Sequence, residues 1–285
     1  MKKTVLITGA SGFVGRHLIP ILEEKYNIKK LTRTPNNINE YAWDVSRQYI
    51  DDEALDNVDY IIHLAGAKLN EGTPLTEERK KTIYESRIGA ADFLRKKLIE
   101  RKQNIIGYIS ASAIGYYGFT DKSIEIDENG HKGFGFNADL SADWEDSAYR
   151  WKNDAIANYV SIIRVSLVLG KDGGVLPIYD SMLKQNPNVI NNMNDSYIPW
   201  NHVEDMAGIF AFALENHLDG IYNSVAPEPA TVTDIYKAII NQKQSNKYKI
   251  IPYEGQHLIS KKIEKAGYIF KYPNIELAIN QIYNK

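Results

Sequence analysis

The stretch Thr8-Gly9-Ala10-Ser11-Gly12-Phe13-Val14-Gly15 sets three glycines between the apolar run Val5-Leu6-Ile7 and a helix-like segment that begins near Phe13. This spacing suits a dinucleotide pyrophosphate. One glycine turns the chain, one lets the phosphates approach the backbone, and one allows helix to pack on strand. Unpaired amides at the helix N-terminus favour the negative charge. Gly9, Ser11, Gly12, Phe13, Val14 and Gly15 are therefore candidate cofactor contacts. The bare motif also suits a tight turn that binds nothing. A helix to Lys25 and a second strand at Ile28 to Thr32 complete a βαβ unit and favour the dinucleotide.

A bound nicotinamide leaves the protein one carbon to place and one proton to manage. Ser112, Tyr116, Tyr117 and His202 are the proton-handling groups near the expected cleft. Ser112 could hydrogen-bond a substrate carbonyl or hydroxyl, or cap backbone at a strand end. Tyr117 could donate a proton, yet an ordinary phenol with a pKa of about 10 is a poor base at neutral pH. The better reading of Tyr117 is an aromatic wall. His202 could titrate in the useful range, although a lone histidine beside Trp200 is more often structural. Lys68, Trp200 and His202 are candidate substrate contacts, with a solvated loop lysine as the alternative for Lys68.

The choice of nicotinamide turns on the end of the second strand, where an acidic residue would bind the ribose 2′-hydroxyl of NAD. Here that strand ends Leu31-Thr32-Arg33-Thr34. Arg33 is a permanent cation with a fork suited to a 2′-phosphate, which favours NADP (as NADPH); its alternative is a solvated arginine. Asp44, with Val45 beside it, is a candidate for the adenine amino group or an ordinary turn aspartate.

These residues need a scaffold of alternating strands and helices. A short strand ends at Trp43-Asp44-Val45, a buried strand runs Val58 to Leu64, and strands follow at Ile105 to Ser110 and Val160 to Val165. A long helix is expected from about Leu75 to Lys102, with Thr76 as its N-cap, and another from about Ala138 to Asn158. The order implies an α/β fold, a Rossmann-type doubly wound parallel sheet with a small, less regular C-terminal substrate lobe. Ligands on such sheets lie beyond the strands' carboxyl ends, where Gly9, Arg33, Asp44, Ala65 and Ser112 would converge. The dinucleotide-binding domain is expected over 1–170, with 200–225 returning to it, and the smaller lobe over 171–285. The Asn-rich stretch Asn186 to Asn194 reads equally as a surface loop or a substrate lid.

Composition excludes several classes. A formal net charge of −2 over 285 residues gives no footprint for nucleic acid. No cysteine is present, so disulfides and thiolate chemistry are out, and the six histidines form no HxxxH or HExxH pair for a metal. No window approaches the apolar length of a membrane span, and the protein is read as cytoplasmic.

The chain resembles the extended short-chain dehydrogenase/reductase superfamily, which includes nucleotide-sugar epimerases and dehydratases. Thr8 to Gly15 is similar to its TGxxGxxG, Leu64-Ala65-Gly66 to its fourth-strand cofactor motif, and Ser110-Ala111-Ser112 with Tyr117-Gly118 to its catalytic serine segment. Pro199-Trp200-Asn201-His202-Val203-Glu204-Asp205 and Tyr222-Asn223-Ser224-Val225-Ala226 resemble two later signatures. Ser86-Arg87, Ala226-Pro227-Glu228-Pro229 and the tail Ala266 to Pro273 resemble a subfamily of epimerase-like proteins with a short characteristic C-terminal region and no defined substrate. The resemblance implies Leu64, Ala65, Gly66 and Ser110 as further cofactor contacts and Ser112, Tyr116 and Tyr117 as the catalytic segment.

One departure weighs against these agreements. The superfamily's Tyr-x-x-x-Lys pair would fall at Asn137 and Ser141, counting back from Glu145, and no lysine lies between Lys132 and Lys152. Asparagine does not titrate usefully, and serine carries no charge to depress a neighbour's pKa. Three readings stay open: an NADP-dependent oxidoreductase or epimerase acting on a small-molecule hydroxyl or carbonyl substrate, with a nucleotide sugar as one candidate, a catalytically silent NADPH-binding redox sensor, and an interaction protein that has lost the cofactor. The resemblance allows a homodimer through the helices at about 75–102 and 138–158; the alternative is that Ile83, Leu94 and Leu98 all face the sheet of a monomer.

Overall fold

The computed structural model describes residues 2–69, 74–118, 124–185, 197–243 and 256–284. The first half runs β1 (Thr4–Thr8), α1 (Phe13–Glu23), β2 (Asn27–Thr32), β3 (Glu40–Asp44), β4 (Tyr49–Ile50), β5 (Tyr60–His63), α2 (Glu77–Tyr84), α3 (Ala90–Glu100), β6 (Ile105–Ala113), α4 (Phe136–Asn153) and β7 (Ala157–Val165). The second half runs β8 (Leu167–Gly170), β9 (Gly173–Gly174), α5 (Leu176–Gln185), β10 (Tyr197–Ile198), β11 (Trp200–His202), α6 (Val203–Glu215), β12 (Gly220–Ser224), β13 (Ala230–Thr231), α7 (Val232–Lys243), α8 (Lys261–Lys265) and α9 (Ile275–Asn284).

Eight strands form one sheet in the order β12-β7-β6-β5-β1-β2-β3-β4. β1 is central and parallel to both β2 and β5, so the winding direction reverses there, the usual place for a ligand crevice. The five residues of β1 and the four of β5 are all buried, as a sheet covered on both faces demands. The sheet is Rossmann-type, with one short antiparallel edge where β4 pairs with β3.

The chain divides into two compact units. Unit 1 comprises Met1–Ser112, Asp139–Ile163 and Phe210–Ile221; unit 2 comprises Ala113–Ala138, Arg164–Ile209 and Tyr222–Lys285. The core of unit 1 packs Leu6, Ile61, Leu94 and Trp151, and Tyr108 stacks on Trp151 with ring centroids 4.0 Å apart. Ile83, Leu94 and Leu98 are fully buried within the chain and offer no apolar surface to a second copy. In unit 2, Leu169, Trp200, Ile239 and Ile279 form a separate core. There the Asp205 carboxylate accepts from Tyr268 Oη and from the Lys271 and Tyr272 amides at 2.8–2.9 Å, tying the C-terminal tail to α6.

Two helices differ from their expected spans. The single helix expected over 75–102 is interrupted by a π turn at Glu85–Gly89, where the Arg87 carbonyl accepts from His63 Nε2 (3.0 Å). Thr76 does cap α2, accepting from the Arg79 amide at 3.2 Å. α4 stops at Asn153 because Ala155 adopts φ 55°, with Ala155 N bonded to Lys152 O and Ile156 N to Trp151 O, the Schellman pattern. Lys102 (φ 52°) ends α3 in the same way and His217 (φ 50°) ends α6. All three positions lack the glycine that marks such an ending in a sequence.

Candidate functional site

The glycine loop is built by close backbone approach. Gly9 has φ 69°, and a Cβ there would lie 2.7 Å from the Leu64 carbonyl carbon. A Cβ on Gly15 would lie 2.6 Å from Gly9 O, so the start of α1 sits directly on the loop. α1 has no side-chain cap at Gly12 and no acidic residue in its first turn, whereas α2 has Thr76 with Glu77 and Glu78. The amides at the start of α1 are thus left for an external anion. Phe13 and Val14 are half-buried, and Phe13 sets its ring edge-on to His17.

A cavity of about 550 Å³ opens in unit 1 beside this loop. Gly9, Ser11 and Gly12 line it from the loop, Arg33, Asp44 and Val45 from the ends of β2 and β3, and Leu64, Ala65 and Gly66 from the end of β5. Thr32, Thr34, Ser46, Thr82 and Ser86 also line it; none was named from sequence as a cofactor contact, although Thr32 and Thr34 flank Arg33 and Ser86 stands within a subfamily motif. Thr82 and Ser86 carried one readable signal, a spacing of four residues on one helix face. Arg33 is exposed and has no hydrogen-bond or ion-pair partner among the described residues. Asp44 accepts from Ser46 Oγ (2.6 Å) and the Ser46 amide (2.9 Å), and these bonds hold its carboxyl below the usual range. It therefore braces its own turn while lining the cavity. Lys68 is exposed, its carbonyl accepting from Arg79 Nη2.

Behind the cavity runs a buried chain of hydrogen bonds. The Arg87 carbonyl can only accept, so His63 Nε2 carries the proton, and burial lowers the His63 pKa to about 4. Nδ1 of the neutral ring then accepts from Thr8 Oγ1 at 2.8 Å. The same Thr8 oxygen accepts from the Leu64 and Ala65 amides at 3.2 and 3.1 Å. One threonine hydroxyl thereby joins β1, the Leu64-Ala65-Gly66 segment and the π turn.

The serine segment lies at the end of β6. Ser110 is buried and donates to the Ala111 carbonyl (2.9 Å). Ser112 is also buried and donates to Glu145 Oε1 of α4 at 2.7 Å. Neither serine lines the cavity. Asn137 is exposed at the start of α4 and Ser141 is buried one turn on. Glu145, used in the sequence only for counting, is the group that holds Ser112.

In unit 2 the structure places three of the residues named from sequence in buried surroundings. Tyr117 lies in a small core with Val225 and Leu258. Its hydroxyl donates to Asn223 Oδ1 and accepts from Arg164 Nη1, both at 2.7 Å, and burial pushes its pKa up to about 12. That hydroxyl is a structural junction. Trp200 is fully buried in the core of unit 2 rather than presented to a substrate. His202 is buried as well: Nδ1 accepts from the Glu204 amide (3.1 Å), which leaves Nε2 to donate to Gln281 Oε1 (2.9 Å). Both ring nitrogens are committed to holding α6 and α9. Tyr116 differs: its ring lies 3.6 Å from the Arg164 guanidinium carbon, and its hydroxyl has no hydrogen-bond partner among the described residues. Asn186 to Asn194 lie outside the described residues.

Among the described residues no His, Asp or Glu side chains group to hold a metal, and no helix is long and apolar enough to cross a membrane. Residues 5–224 match the model of the NAD dependent epimerase/dehydratase family. The chain is 26% identical to the epimerase family protein SDR39U1 of Homo sapiens, over 98% of this chain and 99% of that one. It is also 26% identical to the chloroplastic SDR39U1 homolog of Arabidopsis thaliana, over 98% of this chain and 86% of that one. A crystal structure of human SDR39U1 with NADPH superposes with a TM-score of 0.84 at 25% identity, covering 99% of each chain.

Proposed function

Because the chain belongs to the NAD dependent epimerase/dehydratase family, we propose that it binds NADPH in the unit 1 cavity and acts on a hydroxyl or carbonyl compound. Arg33 carries the cofactor assignment. Among the described residues it is an unpartnered cation on the cavity wall, at the position where an acidic side chain would select NAD, and a 2′-phosphate would supply the anion. The cradle fits the group, since added Cβ atoms on Gly9 and Gly15 would meet neighbouring backbone. The NADPH of the human relative's structure agrees with this choice.

When bound, the cofactor gives or takes a hydride at nicotinamide C4. We assign the accompanying proton to Ser112 and Glu145. Ser112 is buried outside the cavity and donates to Glu145, so its oxygen keeps a lone pair for a hydroxyl that reaches the end of β6. In the oxidation direction the substrate O–H proton passes to Ser112 as the serine proton passes to the carboxylate; the alcohol becomes a carbonyl, its hydride having left with the cofactor. The reverse steps reduce a carbonyl. Tyr116, whose hydroxyl has no hydrogen-bond partner among the described residues, is a further candidate for substrate contact.

A second reading draws on Asn137 and Ser141, which remove the usual tyrosine and lysine. It makes the protein a catalytically silent NADPH binder. Titration with NADPH and NADH, alongside Arg33→Ala, tests the cofactor; no binding of either overturns both readings. Turnover of carbonyl compounds that is lost in Ser112→Ala and Glu145→Gln, with NADPH affinity kept, supports the enzyme; unchanged turnover refutes the pair.

A further inference from the structure

Arg87 is 8% exposed, yet no carboxylate lies within ion-pair distance of it among the described residues. Its Nη1 donates to the Ile83 carbonyl (3.2 Å) and to Ser86 Oγ (3.4 Å). Its guanidinium carbon stands 5.2 Å from the Trp144 ring centroid. Nε is enclosed with no hydrogen-bond partner among the described residues. These neutral contacts leave the charge uncompensated, and burial of an unpaired cation is costly. The other charge that acts on it is Arg79, which is also positive; burial and this neighbour together lower its pKa to about 10.

Position gives the cation a direction. The guanidinium lies against Gly66, where an added Cβ would stand 2.8 Å from Cζ and 3.0 Å from Nη2. Gly66 and Ser86 both line the cavity. Arg87 also sits within the π turn, a local distortion often kept at functional sites, and its backbone carbonyl is held by His63.

We propose that Arg87 is the receiving group of an oxyanion site at the Gly66 side of the cavity, taking a phosphate or carboxylate oxygen of the bound ligand on Nη2, the nitrogen against Gly66 that makes no other hydrogen bond among the described residues. A planar fork suits such a group bidentately. The oxyanion comes from the cofactor's own phosphates or from an acidic substrate, and this choice of source alone rests on the cofactor reading above.

The test is thermal unfolding of the full chain against inorganic phosphate, with chloride holding the ionic strength constant, for wild type, Arg87→Met and Arg87→Lys. Each is run alone and saturated with NADPH. Wild type is expected to show saturable stabilisation, with the apparent phosphate Kd weakened about tenfold or more in Arg87→Met and less in Arg87→Lys. Loss of the Arg87-dependent effect under NADPH assigns the site to a cofactor phosphate; its persistence assigns it to an acidic substrate. Equal phosphate response in wild type and variants, in both states, overturns the proposal. Should Arg87→Met not fold, Arg87→Lys against wild type decides the same question. If NADPH fails to bind, the cofactor reading falls and the cofactor-free arm still tests Arg87.

Discussion

The buried His63 makes a prediction about acid stability that can be worked through. An unfolded histidine titrates near 6.5, whereas in the fold His63 is lowered to about 4 by burial, with the Arg87 charge adding to the effect. Between these values the unfolded chain holds the extra proton, so stability rises with pH. The stabilisation from the neutral ring is complete above about pH 6.5 and gone below about pH 4. At about 1.4 kcal/mol per pH unit, that gap amounts to ~3 kcal/mol. His63→Gln removes the titration while keeping an acceptor for Thr8 and a donor for the Arg87 carbonyl. Urea unfolding of both proteins from pH 7.5 to pH 4 is the assay, because carboxylates titrate alike in each and cancel in the difference. Wild type should lose ~3 kcal/mol relative to His63→Gln over that range. Parallel stability curves would refute the buried, neutral ring and the hydrogen-bond chain deduced from it.

Thr8→Val keeps the side-chain shape but deprives the Ala65 amide and His63 Nδ1 of their partner, and urea unfolding should show a loss of about 2–4 kcal/mol. Thr8→Ser should recover most of it. Tyr117→Phe strips Arg164 and Asn223 of a shared partner, costing about 1–3 kcal/mol by the same assay while leaving NADPH affinity unchanged; a selective loss of turnover would instead make Tyr117 catalytic. Gly15→Ala should abolish NADPH binding in a fluorescence titration, since its Cβ cannot sit 2.6 Å from Gly9 O without moving the loop. Ala155→Gly relieves a left-handed alanine and should stabilise by about 1 kcal/mol, seen as a higher Tm.

Local signals carried the first part of this protein a long way. Glycine spacing after a buried strand marked the loop, Arg33 pointed to NADP, and alternating elements implied a parallel sheet, because each depends on neighbours close along the chain. Helix ends were less legible. Lys102, Ala155 and His217 terminate helices in a conformation favoured by glycine, imposed where the chain must turn back into a strand. The π turn was hidden for a different reason, since its carbonyl is drawn out by His63, 24 residues earlier.

The sequence by itself determined the fold class, the closely packed glycine loop and the cation proposed above to meet a 2′-phosphate, since periodicity and spacing encode them within a few dozen residues. Tertiary structure decided which polar groups remain available. Tyr117, Trp200 and His202 look reactive in one dimension, but residues distant in sequence bury them and take up the Tyr117 hydroxyl and both His202 ring nitrogens. Glu145 and Arg87 look ordinary until the fold brings one to Ser112 and leaves the other buried without a counter-charge among the described residues. A side chain's chemistry depends on its partners and its solvation, and both are settled only by packing.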